Sequence, residues 1–131
     1  MPLPPELTAI DGAQSLHDWF GYRPTFHDAE ILYLHLNRTG LSQMAVHTWH
    51  MSDKTDEKHF YILEKHVVVD FTLEGISDLE LIQFSHQNVL GKLSIEKNSD
   101  GFKLVLWPCY GLAGRIDVSK ISITLRPGEP Q

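Results

Sequence analysis

Residues 66–74 leave the backbone little choice. Val67, Val69, Phe71 and Leu73 take every second position, and His66, Val68, Asp70, Thr72 and Glu74 take the others. Successive side chains of an extended chain point to opposite sides, so this order makes one apolar and one mainly polar face; a helix would scatter the same residues around its circumference. Each apolar member that becomes fully buried contributes roughly 1.5–3 kcal/mol. The same period recurs along the chain. Leu32, Leu34 and Leu36 alternate with Ile31, Tyr33 and His35, which predicts a strand with its leucines on the core. Met44, Val46, Thr48 and His50 alternate with Ala45, His47, Trp49 and Met51. Ile76–Phe84, after Gly75, reads as a separate strand, and Leu93 and Ile95 mark another. Asn98-Ser99-Asp100-Gly101 is a hairpin signal, because glycine tolerates the positive φ of a tight turn. Phe102, Leu104 and Leu106 then return, and Ile116–Leu125 changes parity near Ser119-Lys120, where a bulge or bend is expected. Ser52–Lys58 is a polar loop.

Leu16-His17-Asp18-Trp19-Phe20 carries the helical signal. Ser15 or Asp11 is placed to cap it, and Gly21 with Pro24 stops it. The sum is a mostly β (β-rich α+β) fold. About seven antiparallel strands form a sandwich or partly open barrel, and one short N-terminal helix closes one end. With 131 residues, 42% of them hydrophobic, residues 1–131 make a single domain, with loose tails at 1–8 and 127–131.

Charge and cysteine content restrict the chemistry. A net charge of −6 with no basic run excludes a nucleic-acid binder, which must neutralise phosphates with Lys and Arg. An acidic surface suits solubility or a basic protein partner. Cys109 stands alone, so an internal disulfide and a multi-thiolate zinc site are both excluded. No basic-then-apolar leader and no apolar run of membrane-spanning length is present, which predicts a cytoplasmic protein.

Phe26-His27-Asp28-Ala29-Glu30 concentrates titratable groups where the helix hands over to the first strand. Imidazole and carboxylate together suit a proton shuttle or a zinc or manganese ion. His27, Asp28 and Glu30, joined by His86 from another strand end, form the candidate binding site, with no particular metal implied. Strand alternation would send Asp28 and Glu30 to one side and His27 to the other. The competing structural reading has Asp28 capping backbone amides and His27 packed under Trp19. The remaining histidines are too dispersed for a metal motif, and His47 and His50 fall on opposite faces of a strand. Ser77 and Ser85 lack the flanking glycines of a nucleophile elbow, and no glycine-rich phosphate loop is present. Cys109 has no basic neighbour in sequence and reads as a semi-buried small hydrophobe. Trp49, Tyr61, Trp107 and Tyr110 are candidate interface residues, since aromatics dominate interface energetics. The bland alternative is that they fill the second layer of a sheet.

The order of these landmarks, Trp19-Phe20, Phe26-His27-Asp28-Ala29-Glu30, Leu73–Leu81, Phe84-Ser85-His86-Gln87-Asn88, Gly111-Leu112-Ala113-Gly114 and a final strand ending in Pro127-Gly128, resembles the bacterial immunity protein 50 family. The resemblance implies a small, mostly β protein that neutralises a cognate toxin by direct binding, without catalysis and without a cofactor. It carries Phe26, His27, Asp28, Glu30, Gly75, His86, Gly111 and Gly114 over as landmarks, with no role attached. Two other readings stay open. One is a small metal- or ligand-binding β domain, with or without an activity, using His27, Asp28, Glu30 and His86. The other is a subunit that homo-oligomerises through an exposed strand edge.

Overall fold

Alternation resolves into six strands rather than seven. In the computed structural model, which describes residues 3–130, these are β1 (Glu30–His35), β2 (Ser42–Thr55), β3 (Tyr61–Ile82), β4 (Val89–Asn98), β5 (Gly101–Tyr110) and β6 (Ala113–Pro127). A 3-10 turn, Pro5–Leu7, and one helix, α1 (Ala13–Phe20), precede them. The missing seventh strand is the far half of β3. Gly75 bends this 22-residue strand at φ 68° without ending it, because β6 follows it around the bend. The pairs run from Val67↔Pro127 to Ile82↔Ala113, with one register shift between Ile76 and Asp78. Opposite the bend, the Ser119 hydroxyl donates to the Glu74 carbonyl at 2.9 Å. The parity change expected in β6 is present at this level: Ile116 and Val118 are buried before it, and Ile121 and Ile123 after it.

All strand pairings are antiparallel, in the order β1-β2-β3-β6-β5-β4, and the sheet curls until β4 meets β1. That last seam is narrow. Its registered pair is Glu30↔Val89, supported by three 2.8 Å backbone bonds: Asp28 N–H to Leu90 O, Leu90 N–H to Ala29 O, and Ile31 N–H to Asn88 O. Two three-stranded meanders, β1-β2-β3 and β4-β5-β6, thus join broadly along β3–β6 and narrowly along β1–β4.

Inside, Met44, Val46, Val67, Val69, Phe71, Leu73, Leu90, Leu104, Ile116 and Ile121 are inaccessible to solvent or nearly so. Strand β1 departs from its expected pattern. A register shift between Ile31 and Tyr33 makes Ile31 the buried residue, while Leu36 lies beyond the strand, exposed. The β4–β5 turn falls where the sequence puts it, with Ser99-Asp100 at its tip and Asn98 paired to Gly101. Gly101 is required by close approach, since a Cβ there would overlap the Val118 carbonyl.

Helix α1 plugs one mouth of the barrel with Ala13, Leu16, His17 and Phe20 facing inward, an i, i+3, i+4, i+7 stripe. No side chain caps its start. Gly12 does so in the left-handed region, at φ 88° and against the Ile123 carbonyl; Ile123 N–H in turn bonds Asp11 O at 2.7 Å. Gly21 ends the helix at φ 80°, donating to the His17 carbonyl at 2.8 Å. Of the segment read as a loose N-terminal tail, Met1 and Pro2 lie outside the described residues, as does Gln131 at the other end. Leu3 packs on the core and Leu7 is buried, and β6 runs through Pro127. Among the described residues, no helix is long and apolar enough to cross a membrane.

Two substitutions test this account. Phe71→Ala removes the largest fully buried side chain and is expected to cost about 3–5 kcal/mol in urea unfolding. Gly12→Ala adds a Cβ where φ is positive and the Ile123 carbonyl blocks it, and is expected to cost more than about 1 kcal/mol. A neutral Gly12→Ala would show that α1 is not latched to β6 at this point.

Candidate functional site

The barrel interior is not the site. Side chains fill it, and the cavity beneath α1, lined by Leu7, Leu16, His17, Phe26 and Phe71, measures about 40 Å³. That is room for a water or two, not for a metabolite. Chemistry has to be sought on the outside.

The Phe26–Glu30 corner is a turn that seals the β1–β4 seam, not the extended chain that alternation assumed. Phe26 and Asp28 both adopt left-handed φ, 67° and 65°, and Ala29 N–H closes the turn on Phe26 O at 3.0 Å. Phe26 is buried with its ring 5.9 Å from that of Phe71. Such backbone is costly for residues with side chains, and it is tolerated here because packing and the seam bonds hold it. Its consequence is that His27 and Asp28 project to one side, with His27 Nε2 3.6 Å from Asp28 Oδ2. His27 does not pack under Trp19. Its ring is exposed and its Nδ1 lies 3.1 Å from the Gly91 carbonyl, while the Trp19 indole donates to the Lys65 carbonyl at 3.0 Å.

The other two candidate residues go elsewhere. Glu30 sits across the β1–β2 ladder from His47. His86 is exposed in the β3–β4 connection, its Nδ1 3.2 Å from the Ser85 hydroxyl. The residue that does join His27 and Asp28 is Cys109 on β5, and the three ligand atoms lie within 4.8 Å of one another. Cys109 is exposed, not semi-buried as the sequence suggested. Nothing local in the sequence signals this meeting, which depends on the register of β4 against β5 and on closure of the seam.

Two histidines separated along the chain form a second cluster on the outer face of β2 and β3. His47 Nε2 lies 3.0 Å from His66 Nδ1, the rings stack at 5.2 Å, and Trp49 tilts against both. His66 Nε2 is 3.4 Å from Glu129. Burial, and then the positive charge that His66 can carry, hold the His47 imidazole below its ordinary value; the Glu129 and Glu30 carboxylates oppose this shift. Nearby, Arg126 forks onto Asp70 at 2.6 and 2.9 Å across β3–β6. Tyr22 and His50 bond at 2.7 Å, and burial raises the Tyr22 hydroxyl above its usual range.

The four aromatic interface candidates divide into two groups. Trp107 and Tyr110 are exposed on β5, where Lys92 lies over the Trp107 ring at 5.4 Å. Trp49 and Tyr61 belong to β2 and β3, on the other side of the strand order. There β2 beyond Trp49 has lost β1, and β3 before Val67 has not yet met β6, so the two strands leave the barrel as a two-stranded arm. The arm extends through most of the predicted polar loop. His50↔Glu64, Met51↔Leu63 and Thr55↔Tyr61 pair across it, and the Ser52 hydroxyl donates to the Ile62 carbonyl at 2.7 Å. The turn itself is Asp56–Phe60, with Asp56 Oδ1 accepting from the amides of Lys58 and Phe60. Met51, Phe60, Tyr61, Ile62 and Leu63 are all exposed on this arm, Phe60 by 67%. At its root a groove of about 230 Å³ runs between Trp49 and Met51 on one wall and Tyr22, His27 and Asp28 on the other. The run Phe60-Tyr61-Ile62-Leu63 was the available sequence signal for this surface, four large apolar residues with no polar partner between them.

The shifted His47 imidazole makes stability depend on pH. A histidine whose folded value lies below its unfolded one binds fewer protons when folded. Its contribution is complete above about pH 6.5 and is lost as pH falls through the folded value. The melting temperature is therefore expected to drop between pH 7 and 5, and His47→Gln, which keeps a donor toward His66, should flatten that slope. An unchanged slope in the variant would remove His47 as its source.

Over residues 12–125 the chain matches the family model described as Immunity protein 50, and it belongs to that family. Neither the comparison with curated proteins nor that with solved structures gives a match.

Proposed function

We propose that this member of the Immunity protein 50 family neutralises a cognate toxin by binding it, without catalysis, and that the β2–β3 arm is the principal contact. The observation that carries this reading is the exposure of Met51, Phe60, Tyr61, Ile62 and Leu63 together on one two-stranded projection. Ile62 lies on one face of the arm and Tyr61 and Leu63 on the other; large apolar side chains exposed on so small a projection support an interaction site, and tyrosine is typical of the anchors that carry most binding energy. Both edges of the arm carry backbone groups without a ladder partner, so a partner strand can extend the sheet while alternate side chains enter its pockets. The groove at the root, walled by Trp49, Met51, Tyr22, His27 and Asp28, continues the surface onto the barrel.

The composition supports the same reading. A blocking partner needs no nucleophile and no cofactor pocket, and the packed interior is a scaffold for presenting an outer surface. A net charge of −6 favours encounter with a basic partner. The lone free Cys109 suits a reducing compartment, which supports a cytoplasmic complex.

The experiment is a titration of the purified protein with the toxin encoded beside it. A double Tyr61→Ala/Ile62→Ala variant is expected to weaken binding by at least about 30-fold, the loss of one hot spot of about 2 kcal/mol. Both side chains are exposed, so its melting temperature should stay within a few degrees of the parent. Ile82→Ser, at the far end of β3, should bind as the parent does. An unweakened double variant removes the arm from the interface, and no complex with the parent protein removes the binding reading itself. Size-exclusion chromatography of the protein alone over a dilution series separates both from self-association through the arm's edges.

A further inference from the structure

The corner at the β1–β4 seam, beside the groove at the root of the arm, carries a donor set that contact through the arm does not use. His27 comes from the turn before β1, as does Asp28, and Cys109 comes from β5; their ligand atoms lie within 4.8 Å of one another and all three residues are exposed. We propose that His27, Asp28 and Cys109 form an open binding site for a divalent transition-metal ion, zinc in the first place.

The geometry around His27 supplies the first argument. A carbonyl oxygen only accepts hydrogen bonds, so the 3.1 Å approach of Nδ1 to the Gly91 carbonyl puts the proton on Nδ1. The lone pair of the neutral ring then sits on Nε2, which is the nitrogen 3.6 Å from Asp28 Oδ2. Metal-binding histidines are oriented in this way, one nitrogen held by a carbonyl or carboxylate and the other turned to the metal.

The Gly91 carbonyl is available for this because of a bulge. The β4–β5 register shifts between Leu90↔Pro108 and Lys92↔Trp107, leaving Gly91 outside the regular ladder. A Cβ at Gly91 would stand 3.6 Å from the Cys109 sulfur and in contact with the Trp107 and Pro108 carbonyls. The bulge therefore turns a backbone oxygen to the imidazole, and its glycine leaves the space beside the thiol clear. On the other side, the Asp28 backbone is fixed by its N–H, which donates to the Leu90 carbonyl at 2.8 Å, and by its left-handed φ.

Distances and ligand chemistry point to the same ion. With bonds of about 2.0–2.3 Å, neighbouring ligand atoms of a tetrahedral zinc lie roughly 3.3–3.8 Å apart. The His27 Nε2–Asp28 Oδ2 pair is already at that spacing, and the Cys109 sulfur, one of three ligand atoms within 4.8 Å of one another, is brought in by side-chain rotation at an exposed site. One thiolate, one imidazole and one carboxylate suit zinc or cobalt far better than magnesium or calcium, which take oxygen. Ligation displaces the thiol proton to solvent. Three protein ligands leave the fourth position open to water or to an incoming side chain, as in zinc sites that are not purely structural.

Cobalt(II) reports directly on the sulfur. Titrating untagged, metal-free protein is expected to produce a thiolate-to-cobalt charge-transfer absorption that saturates at one equivalent and is abolished by one equivalent of zinc. Cys109→Ser should lose the absorption, and His27→Ala and Asp28→Asn should each weaken cobalt binding by at least about 10-fold, the lower range for disturbing a metal site. His47→Gln and His86→Ala should leave it unchanged, which separates this corner from the other histidines. A second readout needs no variant: stoichiometric zinc should slow alkylation of Cys109 in the parent protein. Failure of cobalt to bind, binding without the sulfur absorption, or an unchanged cobalt affinity in His27→Ala would each overturn the proposal. None of these outcomes bears on whether the arm binds a toxin.

Discussion

The pairing of β3 with β6 is the interaction on which the rest of the molecule depends. It is the longest ladder in the sheet, and it ties the β1-β2-β3 meander to the β4-β5-β6 meander. It also holds Phe71, at the centre of the core, between strands that are paired on both sides. The bend at Gly75 lets one strand serve both halves of the barrel; a chain that turned away at Gly75 would keep the pairs from Val67↔Pro127 to Glu74↔Lys120 and lose those from Ile76↔Val118 to Ile82↔Ala113. Because β3 begins before β6 can reach it, the same strand supplies half of the arm. Scaffold and proposed binding surface are thus two ends of one extended segment.

What could be read from residue order follows this division. The faces of residues 66–74 were legible because period two is a backbone property and needs no knowledge of neighbours. The parity change at Ser119-Lys120 was legible for the same reason, as was the helix stop at Gly21. The single strand through Gly75 was not, since a glycine followed by a new alternating run reads the same whether the chain turns or bends. Only the opposing strand decides, through the Ser119 hydroxyl on the Glu74 carbonyl. The arm was hidden in a similar way. Ser52–Lys58 has loop composition, yet cross-strand pairs with 61–64 and the Ser52 side chain hold its first half extended.

The candidate corner shows where local reasoning stops. His27 and Asp28 were found because their chemistry is visible in the sequence, but alternation placed them on opposite sides. Two left-handed residues reverse that result, and seam bonds to β4 that no local pattern encodes hold the reversal. Cys109 was dismissed for want of a basic neighbour in sequence, while its neighbours in space come from a distant turn and a bulge. Sequence spacing detects a ligand set when the ligands share an element. Here they come from two segments joined only when the barrel closes, so closure is itself the signal.

An exposed apolar arm with unpaired edges is a hazard unless something limits what it pairs with, and this arm carries such limits. Register shifts interrupt β2 between Thr48 and His50 and again between Met51 and Thr55, which twists the edge away from a flat template. Asp53, Lys54, Asp56, Glu57, Lys58, Glu64 and Lys65 surround Phe60–Leu63 with charge of both signs. Flat, uncharged edges pair indiscriminately; a twisted, charge-flanked one accepts only a partner of matching shape and charge. Protection against self-association and the selectivity that the proposed toxin contact requires are therefore served by the same residues. This also explains why the apolar side chains can stay exposed on a protein whose core is already complete. They are not surplus from the barrel, where Phe71, Leu73 and Ile121 leave no room for them. They sit on a segment that adds little to the core, so its sequence can vary at little cost to folding.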